Sequence, residues 1–379
     1  MKIDKLDVLF HERKVGTLSE THDHRVAFAY TPEWIEHGFP ISPFSLPVSQ
    51  QVFVPTGMHF GGLYGVFGDS LPDAWGQLLM RRMLQRHGLE PDQVTPMMRL
   101  AVIGDTGLGA LCYRPAWDSW SQPELEDLDA LAEECRKILN HEEPDDVDHM
   151  FALAGSSGGA RPKVMTREWI IKFPASSEDP DCGIMEKAYM DCAQQCGIIV
   201  PETKLLPSRR CSGYFAARRF DHTPLPDGSL QRVHMLTVAA ILELDWRAPS
   251  LDYHALIKLT RILCRDRKSE LEQMFRRMCF NVFAHNRDDH SKNFSFLYHE
   301  ETDQWTLSPA YDLTFSSTYY GEHTTSVDGN GRNPGLKEIL SVGKKAGLSA
   351  ARCRQIAEEI YDKAAPLASK FRNFPHPES

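Results

Sequence analysis

No run among the 379 residues approaches the eighteen or so consecutive apolar side chains that cross a bilayer, so a membrane-spanning chain is not expected. Basic charge is the scarcer sign: 42 Lys and Arg stand against 52 Asp and Glu, a formal charge of −10. That balance argues against a surface that coats nucleic acid, and any DNA contact is expected to be indirect, through a partner. A disulfide framework is missing as well. The nine cysteines (112, 135, 182, 192, 196, 211, 264, 279 and 353) are odd in number, scattered and flanked by apolar or helical sequence. Buried thiols in a reducing compartment are the expectation. Cys192 and Cys196 lie one helical turn apart, but no second Cys or His pair accompanies them, and core packing is the simpler reading than metal. The first residues, MKIDKLDVLFHERKVG, alternate like a strand and lack a signal peptide's apolar stretch and cleavage site, so a cytoplasmic protein is expected. Internal repeats and low-complexity tracts are absent.

With 42% hydrophobic and 25% charged residues, the chain has an ordinary globular composition and is long enough for two or three cooperating units. Residues 1–115 read as β-rich with a helical insert. VLFHERKVGTL and HRVAFAY alternate around turn residues, and DSLPDAWGQLLMRRMLQRHG then changes to helical spacing, with Asp69 or Ser70 as start signal and Gly88 as stop. Residues 118–150 are acidic and carry one amphipathic helix, a connector. In 116–222 a Gly/Ser loop, GSSGGARPK, leads into a strand, VMTREWIIKFP, then a helix and two more strands. From 223 to 379 helical periods dominate, beginning with HMLTVAAILEL, and a Pro-rich tail is expected to fray.

The stretch AHNRDDHSKNFSF, 284–296, puts two aspartates, a histidine, a lysine and an asparagine between an apolar helix and an alternating strand. A β-containing unit with a Gly-rich loop and a strand lysine, followed by a helical unit with Asp, Asn and Asp in loops, is the order of parts in a protein-kinase-like phosphotransferase. In that scheme Asp288 accepts the proton of the attacking hydroxyl, Asn293 five residues later binds magnesium, and Asp312, beyond a β-hairpin, bridges metal and phosphates. Lys172 lies on an apolar strand where an ammonium needs an anion, and Glu186 in the next helix is its candidate partner. Ser156, Ser157, Gly158, Gly159 and Ala160 form a loop whose N–H groups can approach phosphate, or a plain solvent loop, since the pattern is neither GxGxxG nor GxxxxGK[ST]. His290 and Lys292 are candidates to approach phosphate, His290 equally for a structural hydrogen bond. Asp289 reads as a solvated neighbour. Asp221 either contacts the nucleotide's sugar or caps a turn, and Phe220 packs at the hinge beside the adenine position. Arg332 and Asn333, in a polar glycine-rich segment, are candidate substrate contacts.

These motifs resemble the HipA-like serine/threonine kinases, toxins of bacterial toxin–antitoxin modules. YTPEW, SPFSLPV, GVFGDSLPDAWGQLLMRRM and GDTGLGAL are similar to that family's N-terminal subdomain, and SSGGARPK, IIKFP, RRFD, RDDHSKNFSF and SPAYDL to its kinase core, in the same order. The resemblance implies an α+β, two-lobed protein-kinase-like fold: a β-rich N-terminal subdomain (1–115), a mixed N-lobe (116–222) and a mostly α-helical C-lobe (223–379). It implies ATP and Mg2+ as cofactors, Asp288 as catalytic base, Asn293 and Asp312 as metal ligands, and Lys172 on the phosphates. It further implies autophosphorylation at Ser156, with Ser157 beside it as the alternative, which ejects the loop and silences the enzyme. Where well-studied members carry Glu at the hinge, this chain has Arg218. The implied partners are a HipB-like helix-turn-helix antitoxin that contacts operator DNA, and a protein substrate, an aminoacyl-tRNA synthetase in well-studied members, whose phosphorylation halts translation and arrests growth. Two other readings stand beside it: a small-molecule kinase on the same fold, and a co-repressor acting through its antitoxin.

Overall fold

The computed structural model describes residues 3–117, 127–318 and 320–371, and the tail expected to fray lies outside them. As the sequence led us to expect, the fold is α+β. It divides into two compact units, Met1–Ile170 with Asp221–Asp245, and Ile171–Phe220 with Trp246–Ser379.

The first unit is built on an antiparallel sheet in the order Val26–Tyr30, Arg13–Glu20, Lys5–Phe10, Leu111–Arg114. Alternation drives one face inward, so Leu6, Val8 and Phe10 are at most 2% exposed. The first hairpin turns on His11 and Glu12, both at positive φ (45° and 65°), the two-residue geometry that matches strand twist. Helix Ala74–Arg86 buries Trp75, Leu79, Met80, Met83 and Leu84. Its cap is Asp73, a correction of the expected start at Asp69 or Ser70. Residues Gly65–Gly68 already form one helical turn, and the Asp69 carboxylate accepts from the Thr237 N–H (2.7 Å) and hydroxyl (2.9 Å) instead. Gly88, at φ +76°, does end the segment.

Three further expectations are corrected. HMLTVAAILEL is a strand, His234–Thr237, followed by a single helical turn, Val238–Ile241, capped by the Thr237 hydroxyl. A short apolar run does not distinguish the two periods, and tertiary hydrogen bonds to Thr237 and His234 decided it. VMTREWIIKFP is a hairpin, Lys163–Met165 and Trp169–Lys172, because the Thr166 hydroxyl accepts from the N–H groups of Glu168 (3.2 Å) and Trp169 (2.8 Å) and folds the chain back. The acidic connector holds two helices, Leu128–Leu139 and Val147–Ala154. Pro144 breaks the run and Asp146 caps the second helix, accepting from Asp148 and His149 N–H at 3.0 Å.

In the second unit Thr203–Leu206 pairs antiparallel with Tyr214–Arg218, and Trp169–Lys172, whose last two residues belong here, lies on the other side of Tyr214–Arg218. Helix Lys268–Phe283 forms the centre of the helical part. Met274, Phe275, Met278, Cys279 and Phe280 on it are fully buried, and burying either phenylalanine is worth roughly 1.5–3 kcal/mol. The hairpin Ser295–His299 and Gln304–Leu307 follows, in the register Phe296↔Leu307. Helices Tyr253–Leu263, Leu336–Lys345 and Ala350–Phe371 pack around the central helix. All nine cysteines are free thiols. No described helix is long and apolar enough to cross a membrane.

Candidate active site

Strand Trp169–Lys172 ends by delivering Lys172 into the second unit with its side chain 13% exposed. A largely dehydrated ammonium must be paired. Its Nζ lies 2.5 Å from Oε1 of Glu186, a buried residue on helix Cys182–Gln195, and also bonds the Asp312 carboxylate. Residues separated by 140 positions in sequence thus share one cation. Asp312 sits at φ +51°, a left-handed conformation that aspartate tolerates better than most side chains, and it follows directly on an anchored residue. The Tyr311 hydroxyl donates to the Lys292 carbonyl (2.6 Å) and accepts from the Ser295 hydroxyl (2.5 Å), binding the Asp312 loop to the Asp288 loop.

The Asp288 segment begins where helix Lys268–Phe283 stops, at Ala284 and the positive-φ His285. Asn293, in the short 3-10 turn Ser291–Asn293, donates from Nδ2 to the Asp288 carbonyl at 2.6 Å, so these two residues meet. The bond leaves the Asn293 side-chain oxygen for other work. Asp288 itself is 52% exposed at the side chain. The protein around it and the neighbouring carboxylates Asp312 and Asp289 raise its carboxyl above the ordinary aspartate value, while His290 pulls the other way; burial is the largest influence. His290 Nδ1 accepts from the Lys292 N–H (3.2 Å), which in the neutral ring leaves the proton on Nε2, 3.7 Å from Asp288 Oδ1. Trp246 backs this corner, its ring 5.2 Å from His290 and 5.8 Å from Lys292 Nζ. Phe220 lies against Tyr311, ring centroids 5.6 Å apart.

Asp289 departs furthest from expectation. It is not a solvated neighbour but fully buried, accepting from the Tyr253 hydroxyl (2.9 Å), His323 Nδ1 (3.1 Å) and the Thr325 N–H (3.0 Å). Adjacent side chains on an extended segment point opposite ways, so a doubled aspartate facing a core sends one carboxylate inward. That alternation was the available signal, and nothing in the sequence named His323 or Tyr253 as partners. Arg332 is paired with Glu322 at 3.1 Å on an exposed loop, and the Asn333 N–H is held by Asn330 at 3.1 Å. Arg218 pairs with Glu202 at 3.4 Å.

In the first unit the Gly-rich loop follows helix Val147–Ala154 and is folded down. Ser156 is buried and donates to the Thr106 carbonyl at 2.8 Å. Ser157 is fully buried, its hydroxyl without a hydrogen-bond partner among the described residues. Gly159, at φ +80°, donates its N–H to Asp73 Oδ2 (3.0 Å), and the Lys163 ammonium bonds the Gly158 carbonyl. Ala160 is exposed. The sequence reading gave no role to Asp73, which reaches the loop across 86 positions, or to Lys163, which folds back on the loop from five residues on. Asp221 is buried and its carboxylate accepts from the Gly109 N–H (3.1 Å) and meets His222 Nδ1 (3.1 Å).

Gly76 is the close approach that lets helix Ala74–Arg86 receive the loop. A Cβ there would sit 2.7 Å from the Gly155 carbonyl oxygen and 3.1 Å from that of Ser157. Gly76→Ala is therefore expected to destabilise the fold by about 1–3 kcal/mol and to speed proteolysis within 155–160, measured by thermal melts and limited digestion.

Asp312 and Asn293 offer hard oxygen donors. Among the described residues no three His, Cys, Asp or Glu side chains cluster as a self-sufficient metal cage. That donor set fits Mg2+, which usually takes one or two protein ligands and completes its shell with water and phosphate.

Comparison with known proteins matches the same segments. The model for the HipA N-terminal domain fits residues 6–114, and that for the HipA-like C-terminal domain fits 155–367, from the first glycine of the loop onward. A Sinorhizobium fredii protein named "Putative kinase Y4dM" is 25% identical over 407 residues, covering 98% of this chain and 91% of its own. A chain of the Shewanella oneidensis toxin–antitoxin complex of HipA, HipB and operator DNA superposes with a TM-score of 0.69 at 17% identity, covering 96% of this chain and 90% of that one, and so shares the fold. With both family domains matched in order across most of its length, this chain belongs to the HipA family.

Proposed function

We propose that the chain is an ATP- and magnesium-dependent serine/threonine protein kinase of the HipA type. The observation that carries this reading is the Lys172 ammonium held between Glu186 and Asp312, beside a loop on which Asp288 and Asn293 meet. In this reading 1–115 is the family's N-terminal subdomain, 116–222 carries the nucleotide-binding strands and loop, and 223–379 the catalytic and metal loops. Lys172 contacts the phosphates of ATP while Glu186 keeps its ammonium in place. Asn293 and Asp312 would hold Mg2+, which neutralises phosphate charge when bound. Asp288 hydrogen-bonds the acceptor hydroxyl, aligns its oxygen with the γ-phosphorus and takes its proton as the phosphoryl group transfers and ADP leaves.

Its protein target is, on the family resemblance, an aminoacyl-tRNA synthetase, and its partner a HipB-like helix-turn-helix antitoxin that alone touches DNA. The acidic net charge of −10 suits docking to a basic partner. The cytoplasm is the compartment where such partners reside. Autophosphorylation on Ser156 or Ser157 would silence the enzyme. Both serines are buried in the folded-down loop, and a phosphate carrying about −1.5 to −2 charges does not fit there beside Asp73, so modification requires the loop to leave.

Phosphatase-treated wild type and Asp288→Asn, incubated with Mg-ATP and followed by intact-mass and peptide mass spectrometry, test the reading. One added phosphate on Ser156 or Ser157 in wild type alone is expected. ATP binding without modification in either protein would favour a small-molecule acceptor or a co-repressor, and absence of ATP binding would overturn the assignment of Lys172, Asn293 and Asp312.

A further inference from the structure

We infer that Asp289 is a positioning residue for Asp288: its buried carboxylate ties the segment 287–290 to the segment 323–326, and this tie fixes where the catalytic base stands. The inference rests on the kinase reading of Asp288. Its three donors come from two places in the chain. Tyr253 opens helix Tyr253–Leu263, His323 and Thr325 lie beyond Asp312, and all three meet a carboxylate with no exposed surface. The tie continues inward, since the Tyr253 hydroxyl accepts from Asn281 Nδ2 (2.9 Å), and Asn281 Oδ1 accepts from Asn286 Nδ2 (3.0 Å). Helix Lys268–Phe283 therefore supports the loop that it leads into.

The backbone repeats the arrangement. The Arg287 carbonyl accepts from both the N–H and the hydroxyl of Thr324 at 3.0 Å, the Asp288 carbonyl from Asn293, and the Asp289 carbonyl from the Thr325 hydroxyl. Three consecutive carbonyls are thus held, and the Asp288 carboxylate projects from a peptide that cannot rotate without breaking several bonds. Segment 323–326 is itself fastened. Thr325–Ser326 pairs in parallel with Leu251–Asp252, and Asp252, the cap of helix Tyr253–Leu263, accepts from the Ser326 hydroxyl (2.6 Å) and the Gly329 N–H (2.8 Å). The His323 N–H is likewise held by the Gly331 carbonyl at 2.7 Å. The polar, glycine-rich segment that carries Arg332 and Asn333 thus begins, at 323–326, with a brace.

Asp289→Asn keeps the shape and turns one acceptor oxygen into a donor facing donors, which no rotation of the amide repairs. Hydrogen exchange should quicken tenfold or more in peptides covering both 285–294 and 322–327, with the hairpin 295–307 unchanged. In phosphotransfer assays kcat should fall at least 100-fold while KM for ATP stays within threefold, a split that simple loss of folded enzyme would not give. Tyr253→Phe, which removes a single donor, should show the same pattern more weakly and keeps the test alive if Asp289→Asn does not fold. Unchanged exchange at 322–327 overturns the tie whether or not the protein is a kinase. Faster exchange with unaltered kcat, in an enzyme whose wild type phosphorylates, overturns the positioning role. A wild type without phosphotransfer defeats the kinase reading and with it the positioning role, while exchange still decides the tie.

Discussion

Replacing Lys172 by methionine is expected to abolish phosphotransfer and to destabilise the fold by about 3 kcal/mol, within the range for removing one partner of a buried ion pair. The size of the second effect follows from Glu186. Its side chain is 2% exposed and 2.5 Å from the lysine, so the substitution leaves a dehydrated carboxylate with its cation gone. The loss is asymmetric. Asp312 is 38% exposed and can turn to water, whereas Glu186 on helix Cys182–Gln195 cannot.

The double variant Lys172→Met/Glu186→Leu separates the two consequences. Replacing both members of a buried pair by apolar side chains is often neutral or stabilising, so most of the lost stability should return, read by urea denaturation. Phosphotransfer should stay down by more than about 100-fold, because the phosphates still lack their positively charged contact. Lys172→Arg is not a rescue either: a planar fork differs in reach and geometry from the compact ammonium that bonds two carboxylates. If Lys172→Met instead melted like wild type, the ion pair would be an exposed one in solution and the proposed nucleotide site would lose its central feature.

What the sequence made legible was chemistry carried by local pattern. The strands Lys5–Phe10 and Arg13–Glu20 announce themselves by alternation, and the hairpin Ser295–Leu307 by two alternating runs around a polar turn. Asp288, Asn293 and Asp312 stand out as an ordered set, each following the other in the sequence that a kinase core uses, and Lys172 because an ammonium on an apolar strand needs explanation. Illegible were residues whose role depends on what lies opposite. Asp73 stands at the N-cap of a helix, yet its carboxylate holds the Gly159 N–H, 86 positions away, which nothing near Asp73 could reveal. Asp289 and Asp288 are identical in type and adjacent in sequence, and only the fold decides that Asp289 receives His323 and Tyr253 while Asp288 faces solvent. The same limit explains HMLTVAAILEL. A short run of mostly apolar residues satisfies either period, and a hydrogen bond from His234 to the Ile41 carbonyl at 2.8 Å, across 193 positions, favoured the strand at His234–Thr237.

Asp288→Asn is expected to remove catalysis while making the protein more resistant to heat at neutral pH. If Asp288 is the general base proposed above, its loss should reduce phosphotransfer by about 10²- to 10⁴-fold. Binding of Mg-ATP should persist, because Lys172, Asn293 and Asp312 are untouched and the Asn293 bond is to the Asp288 backbone carbonyl, which the variant keeps. The stability effect follows from the raised carboxyl. An acid that holds its proton more tightly in the folded state than in the unfolded one favours folding at low pH. That contribution is lost as pH rises from the ordinary aspartate value through the raised one. Above this window the ionised Asp288 works against the fold, first through partial loss of water around its charge and then through Asp312 and Asp289, with His290 opposing. A neutral amide of the same shape removes both the buried charge and the repulsion, so the variant's Tm should exceed that of wild type at pH 7 and the two should converge as the pH falls below the carboxylate range. The same shift sets the acid limb of the wild-type rate profile: kcat/KM should fall with decreasing pH at a value above that of a free aspartate. A variant that is inactive but melts lower than wild type at pH 7 would mean that Asp288 serves the fold, and the base would then have to be sought elsewhere on the 284–296 segment.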